Sequence, residues 1–408
     1  MTRATERHAV VVGAGIGGLA AALGLHRAGW RVTVLERAVR LREQGAGISL
    51  LSNGRRALDQ LGLGPRIEAL SARMAPGGEG LRTRGGRRLQ RPADPAFLAE
   101  HGLFISVLTR PQLHTTLREA LPSEAVLTGA EVVHVAALAA GGAEVRTRDG
   151  LTLQSDVVVA ADGAYSATRA LLWPQLPPPR YSGHSVWRGI AEGVDPTTEP
   201  GGSSWGRGLE FGRMPLTGRR VYWFAVANTP EGRRFPDEYA EVRRRFGRWH
   251  DPIPALLAAT PPERVLRHDV FELAEPLPSF VRGPIALLGD AAHAMTSDLG
   301  QGACQALEDA VVLADLLAES VLDPDADPVT ALARYDELRR PRAQGIAVAS
   351  RRMGETKLTE SRFELLRRNV RLRLLPPSAG QEGMAMVGDW QPPAASVYTE
   401  LGERGAVS

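Results

Sequence analysis

Apolar positions recur with two different periods along the chain. Ala9-Val10-Val11-Val12 is an uninterrupted apolar run, the pattern of a strand buried on both faces. It leads straight into Gly13-Ala14-Gly15-Ile16-Gly17-Gly18, after which Leu19, Leu23 and His26 recur on one helical face and Gly29 stands where a helix stops. A second strand, Arg31 to Leu35, ends at Glu36. Two later strands also end beside an acid. One runs from Asp156 through Ala160 to Asp162-Gly163, with Arg169 following. The other runs from Pro284 through Leu288 to Gly289-Asp290-Ala291-Ala292-His293. Gly300-Gln301-Gly302 then opens a helix with apolar positions at Ala303, Leu307, Ala310, Ala314 and Leu317.

The middle of the chain has another texture. From about Arg180 to His268, runs such as Leu209-Glu210-Phe211 and Val221-Tyr222-Trp223-Phe224 are broken by turns at Leu216-Thr217-Gly218 and Asn228-Thr229-Pro230. This predicts an antiparallel sheet with two unlike faces. The Gly- and Arg-rich stretch from Gly77 to Pro95 is expected to add strands to it. Beyond Pro341 the pattern is helical to about Leu375, and a Pro/Gly-rich tail begins at Pro376. Within it, Phe363, Leu365, Leu366, Leu372 and Leu374 alternate with Arg362, Arg367, Arg368, Arg371 and Arg373. This amphipathic helix reads first as packing against the nucleotide-binding domain and second as a dimer interface.

The opening segment is a strand, a glycine turn, a helix, a second strand and an acid, the context in which G-x-G-x-x-G binds a dinucleotide. Gly13 permits the tight turn, Gly15 lets backbone approach a pyrophosphate, and Gly18 allows close helix–strand packing. The helix N-terminus offers free N–H groups to phosphate. Glu36 is placed to accept from an adenosine ribose, which suits FAD and NAD equally.

Composition narrows the classes. The 408 residues carry 49 Lys+Arg against 46 Asp+Glu, a net +3. That charge is too weak to steer a polyanion, and no nucleic-acid module accompanies the arginine clusters. Cys304 is the single cysteine, so no intrachain disulfide forms. No metal-ligand spacing is present. No apolar run reaches bilayer-spanning length, and the N-terminus passes into a strand without a leader-peptide core. A soluble cytoplasmic protein, monomer or homodimer, is the expectation. Lysine occurs once, at Lys357, in the C-terminal helical region.

Taken in order, the glycine turn with Glu36-Arg37, Gly45-Ala46-Gly47-Ile48, Asn53, Leu108-Thr109-Arg110, Asp162-Gly163, and Gly289-Asp290 with Gly300-Gln301-Gly302 resemble the class A flavoprotein monooxygenases, the para-hydroxybenzoate-hydroxylase-like FAD-dependent hydroxylases. The resemblance implies an α/β fold: a discontinuous Rossmann-like FAD-binding domain (1–75, 100–180 and 269–350), an antiparallel β-sheet substrate domain (76–99 and 181–268), and a C-terminal helical segment and tail (351–408). It implies non-covalent FAD, NAD(P)H as transient reductant, and dioxygen. One oxygen atom would pass from the flavin C4a position into an aromatic or polycyclic small molecule, by hydroxylation or epoxidation, on a secondary-metabolite intermediate.

Carried over by position, Gly13, Gly15, Gly17 and Gly18 would form the phosphate turn and Glu36 would hold the adenosine ribose. Arg37 and Ser49 would line the adenine and pyrophosphate side, and Val132 joins the cofactor contacts. Arg110 would reach the flavin or its phosphates, and Asp290 a ribityl hydroxyl. The N–H groups of Gly300, Gln301, Gly302 and Ala303 would face the flavin pyrimidine, where a helix N-terminus offsets charge on the reduced ring. Asp162 is implied in FAD and NAD(P)H binding, and a carboxylate capping its own turn is the alternative there. Trp187, Arg188 and Trp223 are candidate substrate contacts. Tyr222, Glu210 and Ser297 are candidate catalytic residues.

Two departures stand out. Ser297 occupies a position where relatives carry a proline whose carbonyl approaches the flavin, so the fixed φ is lost. Glu210 occupies a position where urate-hydroxylating relatives carry arginine, which argues against a urate-like anion. An oxidase or cyclase on the same fold, or a redox-inactive FAD-binding protein, are the alternatives. A flavin-dependent halogenase would need a Trp-x-Trp-x-Ile-Pro segment that the chain lacks.

Overall fold

The structure, a computed structural model, describes residues 7–41, 45–75, 78–195, 201–323, 325–375 and 377–393. The segment before Arg7, Gly77, Pro376 and the tail beyond Pro393 lie outside the described residues, and so do the expectations that fall on them.

A six-stranded sheet forms the first layer. Its order is Val281–Arg282, Ile285–Leu287, Val157–Ala160, His8–Val12, Arg31–Glu36 and Val126–Thr128, all parallel except the Val281–Arg282 edge. The central strand His8–Val12 is buried along its whole length, as its unbroken apolar run requires. The helices Ile16–Arg27 and Gly302–Leu322 pack together, with Leu19, Leu307, Val311 and Leu317 fully buried between layers. The parallel pairing brings the carboxyl ends of the strands to one edge. Gly13, Glu36, Asp162 and Asp290 therefore gather there, although 277 positions separate the first from the last in sequence.

The seven-stranded sheet runs Leu266–Glu272, Arg180–Glu192, Arg220–Asn228, Leu209–Leu216, Gly202–Trp205, Leu81–Thr83 and Arg88–Gln90. It is antiparallel except where Ser203–Trp205 pairs in parallel with Leu81–Thr83. Strand alternation sorts its side chains into two faces. Trp187, Phe211, Trp223 and Ala225 form one, covered by Val242, Phe246, Ile253 and Leu257 from two short helices. Tyr222, Met214, Ile190 and Phe224 form the other, against Ala46, Ile105 and Val107.

The C-terminal region departs from expectation in three ways. The helix Pro328–Lys357 runs through Pro341, and a further helix, Pro377–Gly388, stands where the tail reads as irregular. Its C-terminal carbonyl at Gly388 accepts from Ser52 Oγ (3.0 Å) and Arg56 Nη1 (2.7 Å), tying it to the helix Ser52–Gln60. The amphipathic helix Arg362–Leu374 does not pack where the sequence places it. It docks on the edge of the seven-stranded sheet, where Leu372 meets Leu81, Leu89 and Trp205.

Candidate active site

The glycine turn is built by backbone packing. Gly13 has φ +101°, and a Cβ there would sit 2.5 Å from the Ala161 carbonyl oxygen. A Cβ on Gly18 would overlap the Gly13 carbonyl oxygen, and one on Gly17 would lie 2.8 Å from Leu288 Cδ2. Only Gly15 of the four faces open space, with nothing within 4 Å of where its Cβ would be. It precedes a helix whose N-cap has no side-chain hydrogen bond, so the first N–H groups are turned out uncapped. Glu36 holds the turn from the next strand: Oε2 accepts from Ala14 N at 2.9 Å and Oε1 from Ala38 N at 2.8 Å.

Asp162 follows the neighbouring strand. Its Oδ2 accepts from Thr168 N at 3.1 Å, the turn-capping role, while Oδ1 is buried without a partner in the protein. Asp290 is exposed at the start of a short helix after Gly289 (φ +61°), its carboxylate directed toward Gly302. Arg37 is exposed, and Ala130 N donates to the Glu36 carbonyl oxygen two residues before half-buried Val132. Ser49 sits elsewhere, with Oγ 3.5 Å from where a Gly300 Cβ would be. Uncapped backbone donors, an open glycine cradle and carboxylates at the strand ends form the donor set an FAD requires.

The second helix N-terminus is held by a buried polar network. Gly300 (φ +64°) uses its own N–H on Ser297 O at 3.1 Å, so Gln301, Gly302 and Ala303 are left with free N–H groups by helical geometry. The Gln301 side chain is buried, its Oε1 accepting from Asn53 Nδ2 at 2.9 Å. Asn53 also donates to Glu308 Oε1 (2.6 Å), and Arg339 bridges Glu308 and Asp309 at 2.5 and 2.8 Å. Asp309 Oδ2 receives Gly289 N (3.1 Å) and lies 2.6 Å from His293 Nε2. Burial opposes charge on Asp309, but His293 and Arg339 outweigh it and hold its pKa at about 2. His293 thus anchors the Gly289-Asp290 turn from behind. Cys304, buried against Gly54, has its thiol pushed up to about 12 by burial and is no nucleophile.

Between this edge and the second sheet lies the candidate substrate region. Tyr222 is 5 % exposed, and a Cβ on Gly47 would overlap its ring. Burial raises its pKa, against the pull of Arg188 beside its hydroxyl. Strand register pairs His268 with Val186, on the same face as Arg188, and desolvation, Arg188 and Arg110 lower the His268 pKa. Arg110 opens the helix after Thr109, and Ser297 is exposed.

Two expected residues fall elsewhere, and a third is already engaged. Trp187 and Trp223 point to the opposite face, where their indole N–H groups donate to Glu238 Oε2 (2.7 Å) and Thr260 Oγ1 (2.8 Å). They are core residues of the sheet, and the substrate-contact expectation is corrected. Glu210 is on the correct face but is occupied. Its Oε2 lies 3.1 Å from Lys357 Nζ, and its Oε1 accepts from Ser203 Oγ (2.7 Å) and Trp205 Nε1 (3.2 Å). His268 and Asp298, whose carbonyl oxygen accepts from Lys357 Nζ at 2.9 Å, escaped sequence reading, since neither is one of the motif residues. His268's alternation with Leu266 was its only signal.

The comparisons agree with this geometry. The FAD binding domain family matches residues 6–350. Aurachin C monooxygenase/isomerase of Stigmatella aurantiaca is 39 % identical over 372 residues, covering 90 % of this chain and 94 % of that one. A 3-amino-4-hydroxybenzoate 2-monooxygenase of Streptomyces platensis is 36 % identical, covering 84 % and 87 %. The structure of Klebsiella pneumoniae HpxO complexed with FAD and uric acid superposes with a TM-score of 0.85 at 29 % identity, covering 95 % of this chain and 98 % of that one. This chain therefore belongs to the FAD binding domain family, among the FAD-dependent monooxygenases, and is a flavin-using oxidoreductase.

Proposed function

We propose that the protein inserts one oxygen atom from dioxygen into a planar aromatic small molecule that carries an ionisable ring hydroxyl, with NAD(P)H as electron donor. The reading is carried by one observation: the inward face of the seven-stranded sheet sets Tyr222 and Arg188 side by side, across from Gly47.

In this reading Glu36 takes the adenosine ribose, with Arg37 and Val132 near the adenine. The N–H groups after Gly15 take the pyrophosphate, with Gly13, Gly17 and Gly18 shaping the turn. Asp290 takes the ribityl chain, with Ser49 and Arg110 beside it. Asp162 contributes its unpartnered oxygen. FAD supplies electron storage and the activation of oxygen. The protein's part is placement, shielding and charge. The N–H groups of Gln301, Gly302 and Ala303 would offset negative charge on the ring. Ser297 lends its carbonyl or hydroxyl to the oxygen-reacting side. Phe224 and Met214 exclude water from the substrate face. Arg188 stabilises a substrate oxyanion, and the Tyr222 hydroxyl, kept protonated by burial, donates to it.

Glu210 does not fit a substrate-anion site, because Lys357, Ser203 and Trp205 use its carboxylate. Support for an aromatic substrate comes from the relatives, whose names specify a hydroxybenzoate, urate and a heptyl-hydroxyquinolone. The test is a panel of hydroxybenzoates, hydroxyquinolines and urate, each scored for acceleration of flavin reduction by NADH and NADPH and for one added oxygen by mass. Acceleration with oxygen insertion by a phenolic ring supports the reading. Flavin reduction with oxidised product but no added oxygen would replace it with an oxidase.

A further inference from the structure

The helix Arg362–Leu374 carries more of its apolar residues on its exposed face than on its docked one. Its docked face holds buried Arg368 with half-buried Leu365 and Leu372. Arg368 is buried, donating to the Lys357 carbonyl oxygen at 2.6 Å and stacking 5.2 Å from the Trp205 ring, and Leu372 meets Leu89. The opposite face carries Phe363, Leu366, Val370 and Leu374, which are 71, 62, 46 and 78 % exposed. At about 100° per residue these four span an arc of only about 80°. Arginines border the arc on both sides: exposed Arg367 and Arg371 on one, Arg362 and Arg373 on the other. Glu364, paired with Arg367, is the helix's one acid.

We infer that this face seats the protein on an anionic phospholipid surface, with the apolar stripe lying in the headgroup boundary and the flanking guanidinium groups on lipid phosphates. The chemistry selects this occupant over a second copy of the chain. Two such helices packed together would oppose arginine with arginine, with one carboxylate per helix to compensate. A phosphate surface satisfies all four arginines while it covers the apolar arc. No described helix is long and apolar enough to cross a membrane, so the mode is lying on the surface and not spanning it.

The test is cosedimentation of the FAD-loaded full chain with vesicles of phosphatidylcholine alone, or with added phosphatidylglycerol. Binding is expected only with phosphatidylglycerol, and should weaken with salt. Leu366→Ser with Leu374→Ser should reduce it by about tenfold or more, and so should Arg367→Gln with Arg371→Gln. Both pairs are exposed, and unchanged flavin absorbance and melting temperature verify the fold. Analytical ultracentrifugation without lipid completes the experiment. Absence of binding to every vesicle overturns the inference. So does binding that the leucine pair leaves unchanged, or a dimer that Leu366→Glu splits while vesicles capture nothing.

Discussion

Lys357 Nζ lies 3.1 Å from Glu210 Oε2 and 2.9 Å from the Asp298 carbonyl oxygen, in a setting where the lysine is 7 % exposed. The chain's one lysine thus joins the last turn of the Pro328–Lys357 helix to the seven-stranded sheet and to the loop before Gly300. Burial disfavours its charge, yet Glu210 and Asp298 outweigh that and raise its pKa. Lys357→Met leaves two buried carboxylates facing each other and should cost about 3 kcal/mol or more. Lys357→Met with Glu210→Gln should recover at least about 1 kcal/mol of it. Chemical denaturation of the four proteins of this cycle measures both.

The glycines of the turn should separate folding from cofactor binding. Gly18→Ala puts a methyl into the Gly13 carbonyl oxygen and should abolish soluble protein. Gly15→Ala adds a methyl that meets nothing in the protein, so it should fold with a native circular dichroism spectrum while purifying with less flavin. The ratio of absorbance at the flavin band to that of the protein is the readout.

Tyr222→Phe and Trp223→Ala make a matched pair on adjacent residues of one strand. On the proposed assignment, Tyr222→Phe should lower substrate-stimulated turnover by about tenfold or more with the melting temperature unchanged. Trp223→Ala opens a hole in the outer core and should cost about 3 to 5 kcal/mol. Equal effects of both on stability alone would dismiss Tyr222 as a substrate contact.

Asp309 should contribute to acid lability. Its pKa in the folded protein, about 2, lies below the ordinary 3.8. Its contribution is therefore complete above the ordinary value and fades as pH falls toward the folded one. The stability gap between the wild type and Asp309→Asn should narrow across that window, as urea melts at successive pH values would show.

Ser297→Pro should be tolerated. Thr296, at φ −63° and ψ 154°, already has the conformation that precedes proline, and Ser297 opens a short helical turn where a missing N–H does no harm. A gain of about 0.5 kcal/mol is expected. A change in the ratio of hydrogen peroxide released to NAD(P)H consumed would show whether the serine affects oxygen use.

The nucleotide edge was legible because each of its parts is local: a strand, a turn, an acid, repeated at Glu36, Asp162 and Asp290. Strand alternation likewise predicts that Tyr222 and Trp223 take opposite faces, but not which face a helix covers. That depends on Val242 and Phe246, which no pattern near residue 222 announces. The Lys357–Glu210 pair spans 147 positions, and only the packed fold brings it together. The Pro377–Gly388 helix was misread from its proline and glycines, although proline is at home in a first helical turn.

The sheet order has a consequence for how the chain is made. The strand His8–Val12 meets Arg31–Glu36 early in synthesis, but its other neighbour arrives with Val157, and the flank of that neighbour only with Ile285. A ribosome-bound nascent chain therefore displays half a nucleotide groove through most of its elongation. On the proposed assignment, cofactor capture waits until Asp290 and the Gly300–Ala303 turn have been made, and chains terminated before them should emerge without flavin and as substrates for proteolysis.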